Sequence, residues 1–511
     1  MATAEQQNEN DAEIIDLMSA IEAGLTKSTG KALRWNYVGM AIRMGFAFGI
    51  NALLSRLLGP APFGELGVAM IVFGFGNLIS NVGLTSALIQ KESMDDVDIR
   101  FCFTCQMLTA LVMTGLLFLT APFLSQFFRD PHLVVILRVF SLLFVLQAFG
   151  TTANALLTRK QDAVTTQSIN IISYVIAYVA IGVPLALYGA GVWSLVAAWL
   201  SQALINSLLL YLRAPHSVRP RLHPDHRSMV TFGMRILGAN ICSWSIFNLD
   251  NTFVGRIAGP IALGYYSRAF VMLGPADNIT MSLLQVLLPA FSRLTEDTQR
   301  LRQIYASIFG VLVITMLPPL AAISATADVV VVGLYGQRWM AAIPYVRPIA
   351  LAMAFHAIMS LSGPLLASRG KPQKEFRAQL ISVLTAVAAY LVALHWSIVT
   401  LSWTVLVIYI FRFFLLTRAV NREIGTRWLD LLATAGPGIA LGVLAAGSAY
   451  LIAVGSRNFP SGARLLFVAG GSAGITLVAF ALSGHLLLRP IFTRSPQLKV
   501  LVPRRLNFLI P

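Results

Sequence analysis

The sequence predicts an all-α polytopic membrane protein: 14 transmembrane helices in two pseudo-symmetric six-helix lobes, followed by two C-terminal helices. Three observations predict it. Of the 511 residues, 57% are hydrophobic and only 12% charged, and a water-facing globule needs far more polar cover, so lipid must be the solvent. From Leu33 onward the chain is a succession of apolar runs, each with the roughly twenty residues needed to cross a hydrocarbon core. Residues 51–80 and 251–280 read as copies of one another. They share about eight identities in thirty without a gap, where chance gives about two or three.

Taken in order, residues 1–32 form a polar cytoplasmic segment. Ile14, Met18, Ile21 and Leu25 fall at helical spacing among Glu13, Asp16 and Glu22, the pattern of a short amphipathic helix. The basic start and continuous apolar core of a signal peptide are missing. Apolar runs follow at 33–57, 63–89, 99–121, 133–158, 164–187 and 191–212, the N-lobe over 33–212. Pro215, Pro220 and Pro224 make the basic segment 213–228 an extended linker. The C-lobe, 229–419, holds runs at 229–257, 261–290, 302–326, 343–368, 375–395 and 397–419. Runs at 430–454 and 464–488 complete the spans within 420–488, and 489–511 is a basic tail.

The formal charge of +16 is scattered among short loops, which argues against a nucleic-acid surface. With the amino terminus in the cytoplasm, about 26 Lys and Arg fall on the inner side and about 7 on the outer, the asymmetry of the positive-inside rule. Both termini are therefore expected in the cytoplasm. The duplication also continues. Phe127-Phe128-Arg129-Asp130-Pro131 lines up with Leu334-Tyr335-Gly336-Gln337-Arg338, and Leu137-Arg138 with Val346-Arg347. Six helices per repeat is an even number, so both repeats enter from the same side about an axis along the membrane normal.

Five arginines lie five or more residues inside the runs: Arg43, Arg138, Arg235, Arg268 and Arg412. A charged side chain at the bilayer centre costs about 2.5–3.5 kcal/mol on the insertion scale, so each needs water, a partner or a route to the headgroups. Arg138 and Arg412 lie near the ends of their runs and read as snorkelling, whereas Arg43 and Arg268 read as inward-facing. Arg235, Ala239, Cys242, Ile246 and Asp250 share a helical stripe. Asp250 and Asp277 are the acidic residues well inside helices, and Gly274-Pro275 beside Asp277 interrupts its helix. Cys102-Phe-Thr-Cys105 has half a zinc-site spacing without a second pair, so no metal is expected. No catalytic constellation or nucleotide-binding loop is present, so the chain reads as a non-enzyme. Any work must come from an ion gradient, the membrane potential or consumption of substrate on the far side.

The order and spacing of Leu58-Gly59-Pro60 through Gly64, its copy at 258–264, Asn248-Leu249-Asp250 and Tyr335-Gly336-Gln337-Arg338-Trp339 resemble the polysaccharide transporter branch of the multidrug/oligosaccharidyl-lipid/polysaccharide flippase superfamily. Wzx-type exporters are the most similar part of it. The resemblance covers residues 33–420. It implies two bundles around a cavity open alternately to either face of a bacterial inner membrane. It also implies a cargo, an oligosaccharide on undecaprenyl diphosphate, exported for lipopolysaccharide or exopolysaccharide synthesis, with a polymerase and assembly proteins as partners. Guanidinium donors suit a diphosphate. On this reading Arg43, Arg235 and Arg268 attract the diphosphate, while Asn51, Asn251 and Trp244 meet the sugars. Asp250 and Asp277 are counter-ions for those arginines or sites for a coupling proton or sodium ion; no other cofactor is implied. An ion-coupled drug antiporter of the same superfamily and a membrane scaffold for glycan assembly are the alternatives. The charge count places the Gly-Pro turns at the outer face as structural turns, and the cargo deeper, where the halves stop matching.

Overall fold

The computed structural model describes residues 45–80, 88, 95–160, 162–221, 244–245, 248–276, 280, 291, 297–393 and 395–492. The amino-terminal segment, Arg43, Arg235, Cys242, Asp277, the second half of the linker and the basic tail beyond 492 lie outside them. The protein is an all-helical membrane protein: eleven of the described helices are long and apolar enough to cross a bilayer. These are Pro60–Ser80, Asp96–Phe128, Leu133–Arg159, Val164–Leu187, Val192–Arg213, Thr298–Ala325, Gln337–Ser368, Pro372–Ala393, Ile398–Ile424, Trp428–Gly455 and Ser461–Leu482, with the shorter apolar helix Gly45–Leu58 ahead of them. Residues 248–276 are helical as well.

Local chemistry sets several boundaries. Asp297 and Ser397 accept hydrogen bonds from the backbone N–H of Arg300 and Thr400, capping the helices that follow them. Gly425, at φ +70°, ends Ile398–Ile424 in the left-handed conformation that glycine adopts without a Cβ clash. In Val164–Leu187, a π-helical stretch at Ile176–Gly182 leads into Pro184, whose missing N–H breaks the regular ladder.

Contacts divide the chain into two compact units: residues 1–51, 76–119 and 138–237 in the first, residues 52–75, 120–137 and 238–511 in the second. In the first, Gly150 meets Ser207 so closely that a Cβ on Gly150 would lie 2.7 Å from the Ser207 Cα, and Gly182 rests on Ala198. The core there is Ala153, Leu157, Ile169, Leu210 and Ala214. The linker begins as a strap: the Arg221 N–H donates to Thr104 Oγ1 at 2.9 Å, and the His216 ring lies 5.3 Å from both Phe103 and Tyr211.

In the second unit, Gln337–Ser368 is the central helix, with 72% of its most apolar window buried, against 11% for Ser461–Leu482 at the lipid-facing edge. Trp428–Gly455 crosses Thr298–Ala325 at backbone distance, because Gly438 brings its Cα against Ile314, where a Cβ would sit 2.6 Å from the amide nitrogen. The last two helices are thereby built into this unit: Val329, Ala449, Ala453 and Val468 form one core cluster. Arg464 also reaches both Asp328 (3.4 Å) and the Ala453 carbonyl (3.0 Å).

Candidate functional site

Three polar features among the described residues bear on function. The first is the pair of Gly-Pro turns, which meet within the second unit. Gly59 and Gly259 take φ +74° and +83°, a backbone region closed to most L residues, and reverse the chain. For the second turn this is visible in one bond: the Tyr266 hydroxyl donates to Asp250 Oδ2 at 2.7 Å. Sixteen residues of straight helix would separate them by about 24 Å. The helices leaving the two turns then cross at Gly64 and Gly264. A Cβ on Gly64 would overlap the Pro260 carbonyl and lie 3.2 Å from Gly264 N; one on Gly264 would overlap the Pro60 carbonyl and lie 3.1 Å from Gly64 N. The repeat symmetry is thus a physical clasp, each glycine accommodating the other repeat's carbonyl.

The duplicated motif further along buttresses this clasp. Trp339 is fully buried, packs on Phe63, Tyr265 and Tyr335, and donates its indole N–H to the Ser55 carbonyl at 2.8 Å. Arg56 donates to the Leu334 carbonyl at 2.8 Å and to that of Gly333, at the negative end of the Ala327–Tyr335 helix. Its repeat partner Arg256 lies over Phe127, 4.9 Å from the ring centroid, and Gly255 packs on Phe128. The aligned Arg129 and Gly336 both take positive φ, +58° and +90°. Arg268, 7% exposed, lies over the Phe63 ring at 3.7 Å. A cation on an aromatic face is worth about 0.5–2 kcal/mol, rising with desolvation.

The second feature is a buried polar network, also in the second unit. Asp250, 4% exposed, accepts from Tyr266 and from the backbone N–H of Asn251 (2.8 Å), and the Asn251 amide lies 3.3 Å away. Tyr390 lies within electrostatic reach of both Asp250 and Arg412. Arg412, 3% exposed, donates to Gln379 Oε1 at 2.7 Å and lies 5.4 Å from the Tyr409 ring. Its other guanidinium nitrogens, Nε and Nη1, have no hydrogen-bond partner among the described residues. A cavity of about 10 Å³ lined by Ser382, Tyr390, Tyr409 and Arg412 is the size of one water. Arg412 therefore does not snorkel. Its helix runs on to Ile424, twelve residues further, which leaves the guanidinium deep in the unit. Arg138 is half-buried and lies over Phe118 at 4.7 Å.

The remaining sequence-predicted residues fall as follows. Trp244 packs at a tilt against Phe75, with ring centroids 5.4 Å apart, and its Nε1 lies against Gly74. The Asn51 amide donates to its own helix at the Ala47 carbonyl, 2.9 Å. Asn251, Asp250 and Arg268 share the second unit, but Asn251 and Asp250 bond one another while Arg268 is seated at the clasp.

The third feature is a cavity of about 310 Å³ in the first unit, which sequence reasoning missed. Leu133–Arg159 contributes Gln147, Thr151 and Asn154; Val164–Leu187 contributes Thr166 and Asn170; Val192–Arg213 contributes Trp199, Gln202 and Asn206. Each set repeats at three or four residues, which puts it on one helix face. Asn206 donates to Asn170 Oδ1 at 2.8 Å and to Ser173 Oγ at 3.2 Å, fixing two walls together. Gln147, Asn154 and Gln202 make no side-chain hydrogen bond among the described residues. Among the described residues no ionisable side chain lines this space. The signal was present as amides at helical spacing in apolar runs, but a search for charges passes over it.

A family profile described as polysaccharide biosynthesis protein matches residues 53–344, more than half of the chain. The chain belongs to the polysaccharide biosynthesis protein family. Among curated relatives of this family member, the succinoglycan biosynthesis transport protein ExoT of Rhizobium meliloti is 28% identical over 71% of this chain and 74% of that protein. The lipopolysaccharide biosynthesis protein WzxC of Escherichia coli is 22% identical over 72% of this chain and 75% of its own length. Among solved structures, the lipid II flippase MurJ in an inward closed conformation superposes with TM-score 0.66 at 12% identity, covering 88% of this chain and 98% of that one. An inward-facing multidrug transporter of the MATE family gives 0.60 at 13% identity, over 77% of this chain and 98% of its own. The structural matches establish the fold. This family member therefore carries the flippase-type helical architecture, and its relatives by sequence serve polysaccharide biosynthesis and transport.

Proposed function

We propose that this chain moves an oligosaccharide repeat unit, carried on undecaprenyl diphosphate, from the cytoplasmic to the outer leaflet of a bacterial inner membrane by alternating access, for lipopolysaccharide or exopolysaccharide synthesis. The observation that carries this reading is the clasp. A flippase must seal one side while loading from the other, and the Gly64–Gly264 crossing is a seal made from both repeats on the side that the charge count assigns to the exterior. Its symmetry suits opening by separation of the two hairpins, with no refolding of either.

Arg268 belongs to this seal. Its guanidinium rests on Phe63 while the clasp is closed, and separation frees it to engage a diphosphate through charge-assisted bonds. Arg43 and Arg235 are assigned the same role, Asn51, Asn251 and Trp244 contact with sugar, and Asp277 the role of a second coupling or counter-ion carboxylate. Asp250, paired to Tyr266 and connected through Tyr390 toward Arg412, is the candidate for proton or sodium coupling. The chain works as a transporter, with a polymerase and assembly proteins consuming its product. A drug antiporter would want a carboxylate in its binding space, and none lines the 310 Å³ cavity among the described residues.

Deletion of the gene should abolish surface polymer and leave lipid-linked repeat units in the inner leaflet, with restoration by the wild-type chain. Normal polymer in the deletion strain would refute the reading.

A further inference from the structure

The cavity in the first unit sits toward the end of its helices that carries Arg159, Lys160 and Arg213, the side assigned to the cytoplasm by the charge count. Its chemistry is unusual for a membrane interior. Among the described residues, amides and hydroxyls line it without a single charge. Such groups in a bilayer-spanning bundle ordinarily bond one another across helices. Asn206 and Asn170 do so, but among the described residues Gln147, Asn154 and Gln202 do not. These three carboxamides are partly exposed to the cavity, where water or a ligand completes their hydrogen bonds.

A carboxamide offers a donor and an acceptor from one planar group. That matches a ligand whose own groups both give and accept, and a sugar hydroxyl is such a group, whereas phosphate or carboxylate only accepts. Trp199, edge-on to Phe140 at 6.4 Å, adds an indole face to the same space. An aromatic face with convergent neutral polar groups suits the apolar C–H face and hydroxyl rim of a pyranose. The volume, near the lower end of the range of about 300–1,000 Å³ for small-molecule sites, takes a sugar-sized group and excludes a whole lipid-linked oligosaccharide.

We propose that this cavity is a subsite for an uncharged sugar ring of the cargo, with Trp199 as its platform and Gln147, Asn154 and Gln202 reading its hydroxyls. The assignment rests on the flippase reading and adds a selectivity to it: cargo is sorted at loading by a neutral sugar, apart from any recognition of its phosphates by arginine. Gly150 and Ser207 fix the floor, and the Asn170–Asn206 bond fixes the spacing of two walls, so the amides are held in place before the ligand arrives.

The test uses the full chain in lipid nanodiscs and a panel of methyl glucoside, galactoside and mannoside beside the methyl glycosides of their uronic acids, read by saturation-transfer NMR. At least one neutral glycoside should bind, with transfer reduced tenfold or more for its uronate. Asn154→Leu and Gln202→Leu should each lower that transfer at least tenfold with thermal midpoint unchanged or raised, because they remove unpaired amides. Trp199→Phe should weaken it severalfold and keep the same ranking of sugars. Equal binding of uronates, no binding by any neutral glycoside, or binding insensitive to the Asn154 and Gln202 substitutions would overturn the subsite. In cells, normal polymer from Asn154→Leu and Gln202→Leu strains would sink the subsite alone, whereas normal polymer on gene deletion would sink the flippase reading beneath it.

Discussion

Replacing Gly64 by leucine should open the outer side. The structure leaves no room for a side chain there: its first carbon already overlaps the Pro260 carbonyl and lies 3.2 Å from Gly264 N. The two helices must part by on the order of 1 Å at a close-packed crossing, and overpacking of that kind costs about 1–3 kcal/mol. Because the penalty falls on the closed arrangement, it shifts the closed-to-open equilibrium by about 5- to 150-fold. Ser55 is the reporter, being fully buried with its carbonyl held by the Trp339 indole. In a background with Cys102, Cys105 and Cys242 replaced by alanine, Ser55→Cys should react slowly with an impermeant maleimide added outside. Gly64→Leu should raise that rate by the factor above, Gly64→Ala less. Gly447→Ala, at a site with nothing within 4 Å, should leave it unchanged. A Gly64→Leu protein that inserts, stays folded and labels at the wild-type rate would refute the clasp.

Arg56→Ala removes bonds from a guanidinium to the Gly333 and Leu334 carbonyls. Hydrogen bonds to charged groups contribute about 1.5–3 kcal/mol, so Ser55→Cys labelling should rise at least tenfold in this variant too. Tyr266→Phe takes one hydrogen bond from buried Asp250 and should cost about 1–3 kcal/mol in thermal unfolding; additivity with Asp250→Asn would show the two are not coupled. Arg412→Lys should not restore the transport lost in Arg412→Met, because a point charge cannot replace a planar fork held by Gln379 beside Tyr409, and rescue by lysine would contradict that geometry. Burial pushes the His216 imidazole of the linker strap below its ordinary value. The docked strap thus holds the ring neutral, and its stability is full above the unfolded pKa of about 6.5 and lost as pH falls beneath it. Limited proteolysis at Arg219 and Arg221 should quicken between pH 7.5 and 5.5, and not in His216→Phe; a flat profile in the wild type would count against the strap.

Much of the frame was legible because lipid imposes simple rules. Helices must be about twenty apolar residues long, and the repeated Gly-Pro turns announce themselves by composition and by the positive φ they require. The contact between those turns was not legible, since identity between two segments says nothing about whether they touch. Arg412 was misjudged for a physical reason: Arg418 and Arg422 resemble a helix end, yet the helix continues through them to Gly425. Tyr335 to Trp339 was visible as a motif, but its work as a buttress depends on Ser55 and Arg56, nearly three hundred residues earlier. The amide cavity needed the structure, because Gln147, Asn154 and Gln202 look like helix glue until the bonds of their neighbours are counted.

Turnover of a lipid-linked glycan by this chain can be read in a reconstituted membrane. Purified protein in liposomes, loaded with undecaprenyl-diphosphate oligosaccharide in both leaflets, is challenged with an impermeant glycosidase outside. Digestion should run past the outer-leaflet half toward completion in liposomes that hold folded protein, and stop at half in protein-free liposomes. Digestion that stops at half with folded protein would contradict turnover.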